Sequence, residues 1–231
     1  MKSKLYITPT PIGNYEDITL RALRILREVD FIICEELKPA RRLLSHYKIK
    51  KDLFTLNEHN EKEYTNEIIT ELQKGKTAAL ISDAGTPLFS DPGHFLVNQC
   101  IEKKIKIVPL PGANSLIPAL VSSGLNFEKF YFYGWLSPKK DLRKRELQNL
   151  KKHKELIVLM ETPYRLKRLL TDIKNNFGEN QKIVLAYKLT MTEEKIYRNT
   201  VSKILDEVEK KNFKGEFVLL VENGIQKSKV H

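Results

Sequence analysis

The chain has 231 residues, 41% of them hydrophobic and 30% charged, which is enough apolar content to fill one large domain or two small ones. No run approaches the roughly 20 apolar residues of a membrane span. The start, Met1-Lys2-Ser3-Lys4-Leu5, leads into a strand rather than a signal segment, so the expectation is a soluble, cytoplasmic protein without a membrane. The net charge of +11 is unevenly placed: residues 1–112 carry 17 Lys and Arg against 15 Asp and Glu, residues 113–231 carry 23 against 14. A positive second half suggests an anionic partner there.

In chain order, short apolar runs alternate with amphipathic helices. Leu5 to Thr8 reads as a strand, followed by a helix from about Thr19; Phe31 to Ile33 is followed by a helix near Pro39 to Tyr47, and Leu53 to Leu56 by one from Tyr64 to Gln73. Ala78 to Ile81 and Ile105 to Leu110 continue the series. This rhythm predicts βαβ units and a mostly parallel sheet. Beyond Pro111-Gly112 the pattern changes to strands at Phe130 to Tyr133, Leu156 to Met160, Ile183 to Tyr187 and Glu216 to Val221, separated by longer basic helices. The expected division is an α/β domain over 1–112 and a basic α/β domain over 113–231, with a frayed polar tail from Gln226 to His231.

Three Gly/Pro-rich connections follow strands: Thr8 to Asn14, Ser82 to Gly93, and Pro109 to Ser115. The second is the most informative, because Gly85 permits close approach to the main chain, Pro87 and Pro92 stiffen the exit, and Asp83 and Asp91 bring two carboxylates to a strand's carboxyl end. Ligands of open α/β sheets sit at that end. A parallel sheet can gather the three loops at one edge. Neither G-x-G-x-x-G nor G-x-x-x-x-G-K-[ST] is present, so a Rossmann fingerprint and a Walker loop are unsupported. Cys34 and Cys100, far apart and in apolar settings, read as buried small hydrophobes, with no disulfide framework and no metal cluster. The densest basic run holds eight cations, among them Lys139, Lys140, Arg143 and Arg145, against Asp141 and Glu146 between residues 139 and 154. From charge alone it is a nucleic-acid contact or a solvated face.

Six motifs in order carry a resemblance over nearly the whole chain. They are Leu5 to Leu23, His59-Asn60-Glu61, Ser82-Asp83-Ala84-Gly85-Thr86-Pro87, Pro109-Leu110-Pro111-Gly112, Glu161-Thr162-Pro163-Tyr164-Arg165, and Lys214 to Leu219. The chain resembles the tetrapyrrole-methylase superfamily and, within it, the bacterial rRNA small-subunit methyltransferase I family. That resemblance implies two α/β domains with S-adenosylmethionine in the cleft between them, a homodimer, and 2′-O-methylation of a cytidine ribose in small-subunit rRNA. It also implies cofactor contacts, largely through main-chain atoms, from Asp83, Ala84, Gly85, Thr86, Asn114, Ser115, Met160, Phe217 and Val218. The loop holding Pro11, Gly13 and Asn14 would line the acceptor side. Relatives acting on a tetrapyrrole or another small acceptor, and an inactive RNA-binding module, are the alternatives.

Methyl transfer from a sulfonium is an in-line displacement that needs alignment and removal of the acceptor proton. For a ribose hydroxyl, His59 has the side chain whose ordinary pKa suits a general base, with Glu61, Glu36 and Lys188 as rivals. Lys38, Arg143, Arg145 and Arg165 are the candidate substrate-binding cations. The polar motifs depart from the family pattern where this chain has Glu35-Glu36-Leu37-Lys38, Asn57-Glu58-His59 and Tyr187-Lys188-Leu189, and the C-terminal extension of longer members is expected to be missing. The acceptor side is therefore expected to have diverged more than the cofactor side.

Overall fold

In the computed structural model, residues 3–89, 91–211 and 213–223 are described; the tail expected from Gln226 to His231 lies outside them. The chain divides into two units, Met1–Asn114 and Ser115–His231.

The first unit follows from strands that are apolar on both sides. Its strands are β1 (Lys4–Ile7), β2 (Phe31–Cys34), β3 (Asp52–Thr55), β4 (Thr77–Leu80) and β5 (Lys106–Pro109), all parallel in the order β3-β2-β4-β1-β5. The helices are α1 (Leu20–Glu28), capped by the Thr19 hydroxyl, α2 (Leu37–His46), α3 (Glu61–Gln73) and α4 (His94–Glu102). Alternate strand residues face opposite layers. Leu5, Ile7, Phe31, Ile33, Ala78 and Leu80 pack with Ile68, Leu72, Leu96 and Cys100 of α3 and α4, whereas Ile32, Cys34 and Ala79 pack with Ile25, Leu26, Leu43 and Leu44 of α1 and α2. The right-handed crossover rule explains this sorting. Connections through α1 and α2 run toward β3, those through α3 and α4 run toward β5, and opposite directions put the helices on opposite faces.

The second unit has a mixed sheet, β6 (Phe130–Trp135), β7 (Leu156–Met160), β8 (Lys182–Tyr187), β9 (Lys195–Thr200) and β10 (Phe217–Val221), in the order β6-β7-β10-β8-β9. Among its described residues only β6 and β7 pair in parallel. One face carries α6 (Lys140–Leu150), α7 (Leu166–Phe177) and α8 (Val201–Lys210) over Ile157, Leu159, Leu185 and Leu219, and α5 (Leu116–Ser123) packs against β8, β9 and β10. The expected lengthening of the second-half helices is not observed: α5 to α8 span 8 to 12 residues and α1 to α4 span 9 to 13. The structure also adds β9, an edge strand whose Lys195 and Arg198 break any apolar run.

Arg143 corrects the reading of the basic segment. It is 3% exposed; its Nε donates to Asp172 at 2.6 Å, and its Nη1 donates to the carbonyls of Ser137 and Pro138 at 3.0 and 2.9 Å. The guanidinium ties α6 to α7 and to the turn before α6, so it is not presented to a substrate. Lys139, Lys140, Lys144 and Arg145 remain exposed. Arg143→Ala, which strands Asp172 and two carbonyls, is expected to destabilise the protein by about 2–4 kcal/mol, and Arg145→Ala by less than about 0.5 kcal/mol. Urea unfolding of the two variants checks this, and equal losses would return Arg143 to the surface.

Candidate functional site

The parallel sheet gathers the three Gly/Pro-rich loops at its carboxyl edge, and main-chain atoms lace them together. Thr10 and Gly85 form an isolated antiparallel bridge, Thr10 N to Gly85 O at 2.8 Å and Gly85 N to Thr10 O at 3.0 Å. The Thr10 hydroxyl donates to Ser82 O, the Ser82 hydroxyl donates to Gly85 O, and the Thr86 hydroxyl donates to Ala113 O at 3.0 Å. Two glycines are dictated by this arrangement. Gly85 has φ +90°, and a Cβ there would lie 3.2 Å from the Ile12 side chain; at Gly112 a Cβ would lie 2.6 Å from that of Pro9. Buried Pro11 and exposed Gly13 and Asn14 continue the first loop, where the Asn14 side chain accepts from Glu16 N and caps a 3₁₀ turn at Tyr15–Asp17.

Carboxylates concentrate at the same edge. Burial, then the charge of neighbouring Asp83, pushes Asp91 up to about 6. Partial desolvation and Glu36 raise Asp83, although that residue and Ala84 remain open to solvent, and the Glu36 backbone N–H opposes the rise. Glu35 is raised by burial and by the charges of Asp83, Asp91, Glu36 and Glu58. Thr8, at the end of β1, is fully buried and its hydroxyl has no partner among the described residues. The edge is thus short of positive charge. Cations collect elsewhere in this unit, in a groove of about 680 Å³ between α2 and edge strand β3 that includes Arg41, Lys48 and Lys50. Lys38 is exposed in the first turn of α2, and Leu37 beside it packs on the α1/α2 layer.

Three candidate catalytic residues separate on structural grounds. Glu61 is a cap: its Oε1 accepts from Gly93 N and Phe95 N, both at 2.9 Å, fixing the start of α4. Lys188 is an ion-pair partner, with Nζ 2.9 Å from Glu193 Oε1; that hydrogen bond raises its pKa, so it stays charged and cannot accept a proton at neutral pH. His59 stands exposed just before α3, Nε2 3.5 Å from Glu58. Glu61 is claimed by amides 32 and 34 residues away, which spacing could not disclose, and Lys188 by a carboxylate only five residues on, across the turn after β8.

In the second unit, Met160 at the end of β7 lies opposite Val218 in β10, and Phe217 opposite Tyr187, so one sheet end brings together Met160, Phe217 and Val218. The Phe217 and Val218 side chains are buried, and Val218 is paired with β7 on one side and β8 on the other. Ser115 and Asn114 sit at the unit boundary, Ser115 before α5 and Asn114 donating to Gly112 O at 3.5 Å. Arg165 reads differently from a phosphate binder: its Nη2 is 3.1 Å from Oε2 of buried Glu161, whose Oε1 accepts from Thr162 N. The pair fixes the turn after β7.

Two outcomes follow from this geometry. Glu61→Gln, which keeps an acceptor oxygen, should fold and act much as the parent does, and Glu61→Ala should lose about 1–2 kcal/mol in urea unfolding. Folding raises the Asp91 carboxyl from 3.8 to about 6, so its ionised form opposes folding; that opposition is absent below pH 3.8, grows up to about pH 6 and is complete above it. Asp91→Asn should therefore gain up to about 3 kcal/mol at pH 7.5 and little at pH 3.5, read from urea midpoints at both pH values. A gain independent of pH would refute the assignment.

Residues 4–205 match the family described as Tetrapyrrole (Corrin/Porphyrin) Methylases. The chain is 44% identical over 220 residues to a Haemophilus influenzae protein named ribosomal RNA small subunit methyltransferase I, covering 94% of this chain and 78% of that one. A Bacillus subtilis protein of the same name is 40% identical, with 95% and 75% covered. Among solved structures, cobalt precorrin-4 methyltransferase matches with a TM-score of 0.71 at 20% identity over 94% of both chains. Diphthine synthase matches at 0.74 and 15%, over 96% of this chain and 90% of that one; these two likenesses bear on the fold alone. Taken with the laced carboxyl edge, the matches establish that the chain belongs to the tetrapyrrole methylase family and is a methyltransferase that uses S-adenosylmethionine.

Proposed function

We propose that this protein methylates small-subunit ribosomal RNA, at the ribose 2′-hydroxyl of a cytidine, as a cytoplasmic homodimer. The observation that carries the reading is the 44% identity to a protein named for that subunit across 94% of this chain. The acidic edge supports it against a tetrapyrrole acceptor. A tetrapyrrole carries its carboxylates around the reacting ring, where Glu35, Asp83 and Asp91 would repel them, whereas RNA phosphates can spread onto cations away from the reacting hydroxyl.

The residues present fit S-adenosylmethionine chemically. The carboxylates that repel one another at the edge are stabilised by a cation, and Asp83 and Ala84 of the laced loop stay open to solvent, where a ligand can reach them. The proposed contacts are Asp83, Ala84, Gly85, Thr86 and Asn114 from the first unit and Ser115, Met160, Phe217 and Val218 from the second. Bound there, the group supplies the methyl. The chain's residues align the acceptor and exclude water, Pro11, Gly13 and Asn14 line the acceptor side, and Lys38 and Arg145 hold phosphates. His59 is one candidate to take the hydroxyl proton; Asp91, raised to about 6, is the other, since a carboxyl so poised is a competent base at neutral pH.

The test is to incubate the protein with methyl-labelled S-adenosylmethionine and small ribosomal subunits, naked rRNA or tetrapyrrole precursors, and to map the label at nucleotide resolution. Label on a small-subunit ribose is expected. Label only on a tetrapyrrole would overturn the reading. Gly85→Val, strained at φ +90° and crowded against Ile12, should abolish cofactor binding by calorimetry while the fold persists. Asp91→Asn should remove the acid limb of the rate profile if Asp91 takes the proton, and leave it if His59 does.

A further inference from the structure

Tyr164 is 82% exposed, far more than the other exposed aromatic side chains, which range from 37% to 44%. It stands on a stiff support: Pro163 opens a 3₁₀ turn at Pro163–Arg165, and the buried Glu161 holds that turn through Arg165 and the Thr162 amide. Beside it runs a groove of about 820 Å³ in the second unit, with Phe213 on its wall and Lys167, Lys210 and Lys214 along it. Phe213 is itself buttressed by Tyr187 and Tyr197 at ring-centroid distances of 4.7 and 5.4 Å, and Tyr187 Oη accepts from the Lys214 and Gly215 amides. Lys167 pairs with Glu209 at 2.8 Å, which leaves Lys210 and Lys214 as the cations available to a ligand.

A solvent-exposed aromatic ring is poorly placed in water unless something covers it, and a ring flanked by ammonium groups selects a ligand that is both aromatic and anionic. Single-stranded nucleic acid meets both conditions, since each unpaired base offers a face for stacking and each linkage a phosphate. A duplex offers the phosphates but withholds the faces. Pro163, Leu166, Val208 and Phe213 give the groove apolar walls, and Lys210 and Lys214 on it, unpaired among the described residues, favour a ligand that is anionic as well as aromatic over a purely apolar protein partner.

We propose that this groove binds an unpaired stretch of RNA, one base stacking on Tyr164 and the adjoining phosphates meeting Lys210 and Lys214. The inference rests on the rRNA reading above and names a substrate-binding surface for it. The turn that carries Tyr164 begins just beyond Met160, so a strand seated here passes the end of β7.

The experiment measures anisotropy of a labelled short single-stranded RNA, and of the same RNA annealed to its complement, at several KCl concentrations, using the full chain. Tyr164→Ala should weaken single-strand binding roughly 5- to 150-fold, Tyr164→Trp should restore it, and duplex binding should change little. Lys210→Gln with Lys214→Gln should reduce the single-strand salt slope by about 1.4. Calorimetry with S-adenosylmethionine, unchanged in Tyr164→Ala, shows that the variant is folded. A parent that binds and methylates rRNA while Tyr164→Ala binds it equally well would overturn this proposal and spare the rRNA reading. Equal losses on single strand and duplex would overturn the stacking, and a Tyr164→Ala chain that sediments as a monomer from a dimeric parent would assign the face to a second copy. A parent that binds no RNA and labels none would overturn both.

Discussion

The bridge between Thr10 and Gly85 is the constraint on which the first unit's functional edge depends. Loops at the end of a parallel sheet have no ladder of their own, and an unpaired buried amide is expensive. Here one loop satisfies another, so the loops after β1 and β4 are locked pairwise, and Thr86 extends the lock to the loop after β5. Such an edge is rigid before any ligand arrives, which spares a ligand the ordering entropy of three flexible segments. It also explains why small residues and prolines dominate these loops, since each crossing brings backbone to within contact distance of backbone.

Charge is separated rather than balanced. The first unit is nearly neutral by count, yet its carboxylates meet at the edge while Arg41, Lys48 and Lys50 gather along α2 and β3. A sum over residues conceals such a dipole. In the second unit the reverse correction applies, because Arg143, counted as a surface cation, is buried and hydrogen-bonded to Asp172, and Arg165 stands beside buried Glu161 as an ion pair. The field a ligand meets is set by which charges are left after internal pairing.

Much of the fold was legible in the sequence. The strands β1, β2, β4 and β7 are apolar runs bounded by turn residues, and their alternation with amphipathic helices identified the α/β class and the gathered loops. β9 escaped because an edge strand needs no apolar period; Lys195 and Arg198 face solvent or carbonyls rather than a core. The paired carboxylates of the loop after β4 were visible as Asp83 and Asp91, but the elevation of Asp91 arises from burial and from Asp83, which spacing alone does not reveal. Glu61 shows the limit most clearly, since its role is set by amides 32 and 34 residues away.

The two thiols occupy opposite sides of one sheet, Cys34 in the layer of α1 and α2 and Cys100 in that of α3 and α4. Burial pushes Cys34 up to about 11 and Cys100 up to about 12, so neither supplies appreciable thiolate in the folded protein. Oxidants and alkylating reagents, which react with thiolate, therefore find no target until a layer opens. The second unit has no cysteine, so slow alkylation followed by mass spectrometry would time the opening of the first unit alone and, by which thiol is modified, tell one helical layer from the other.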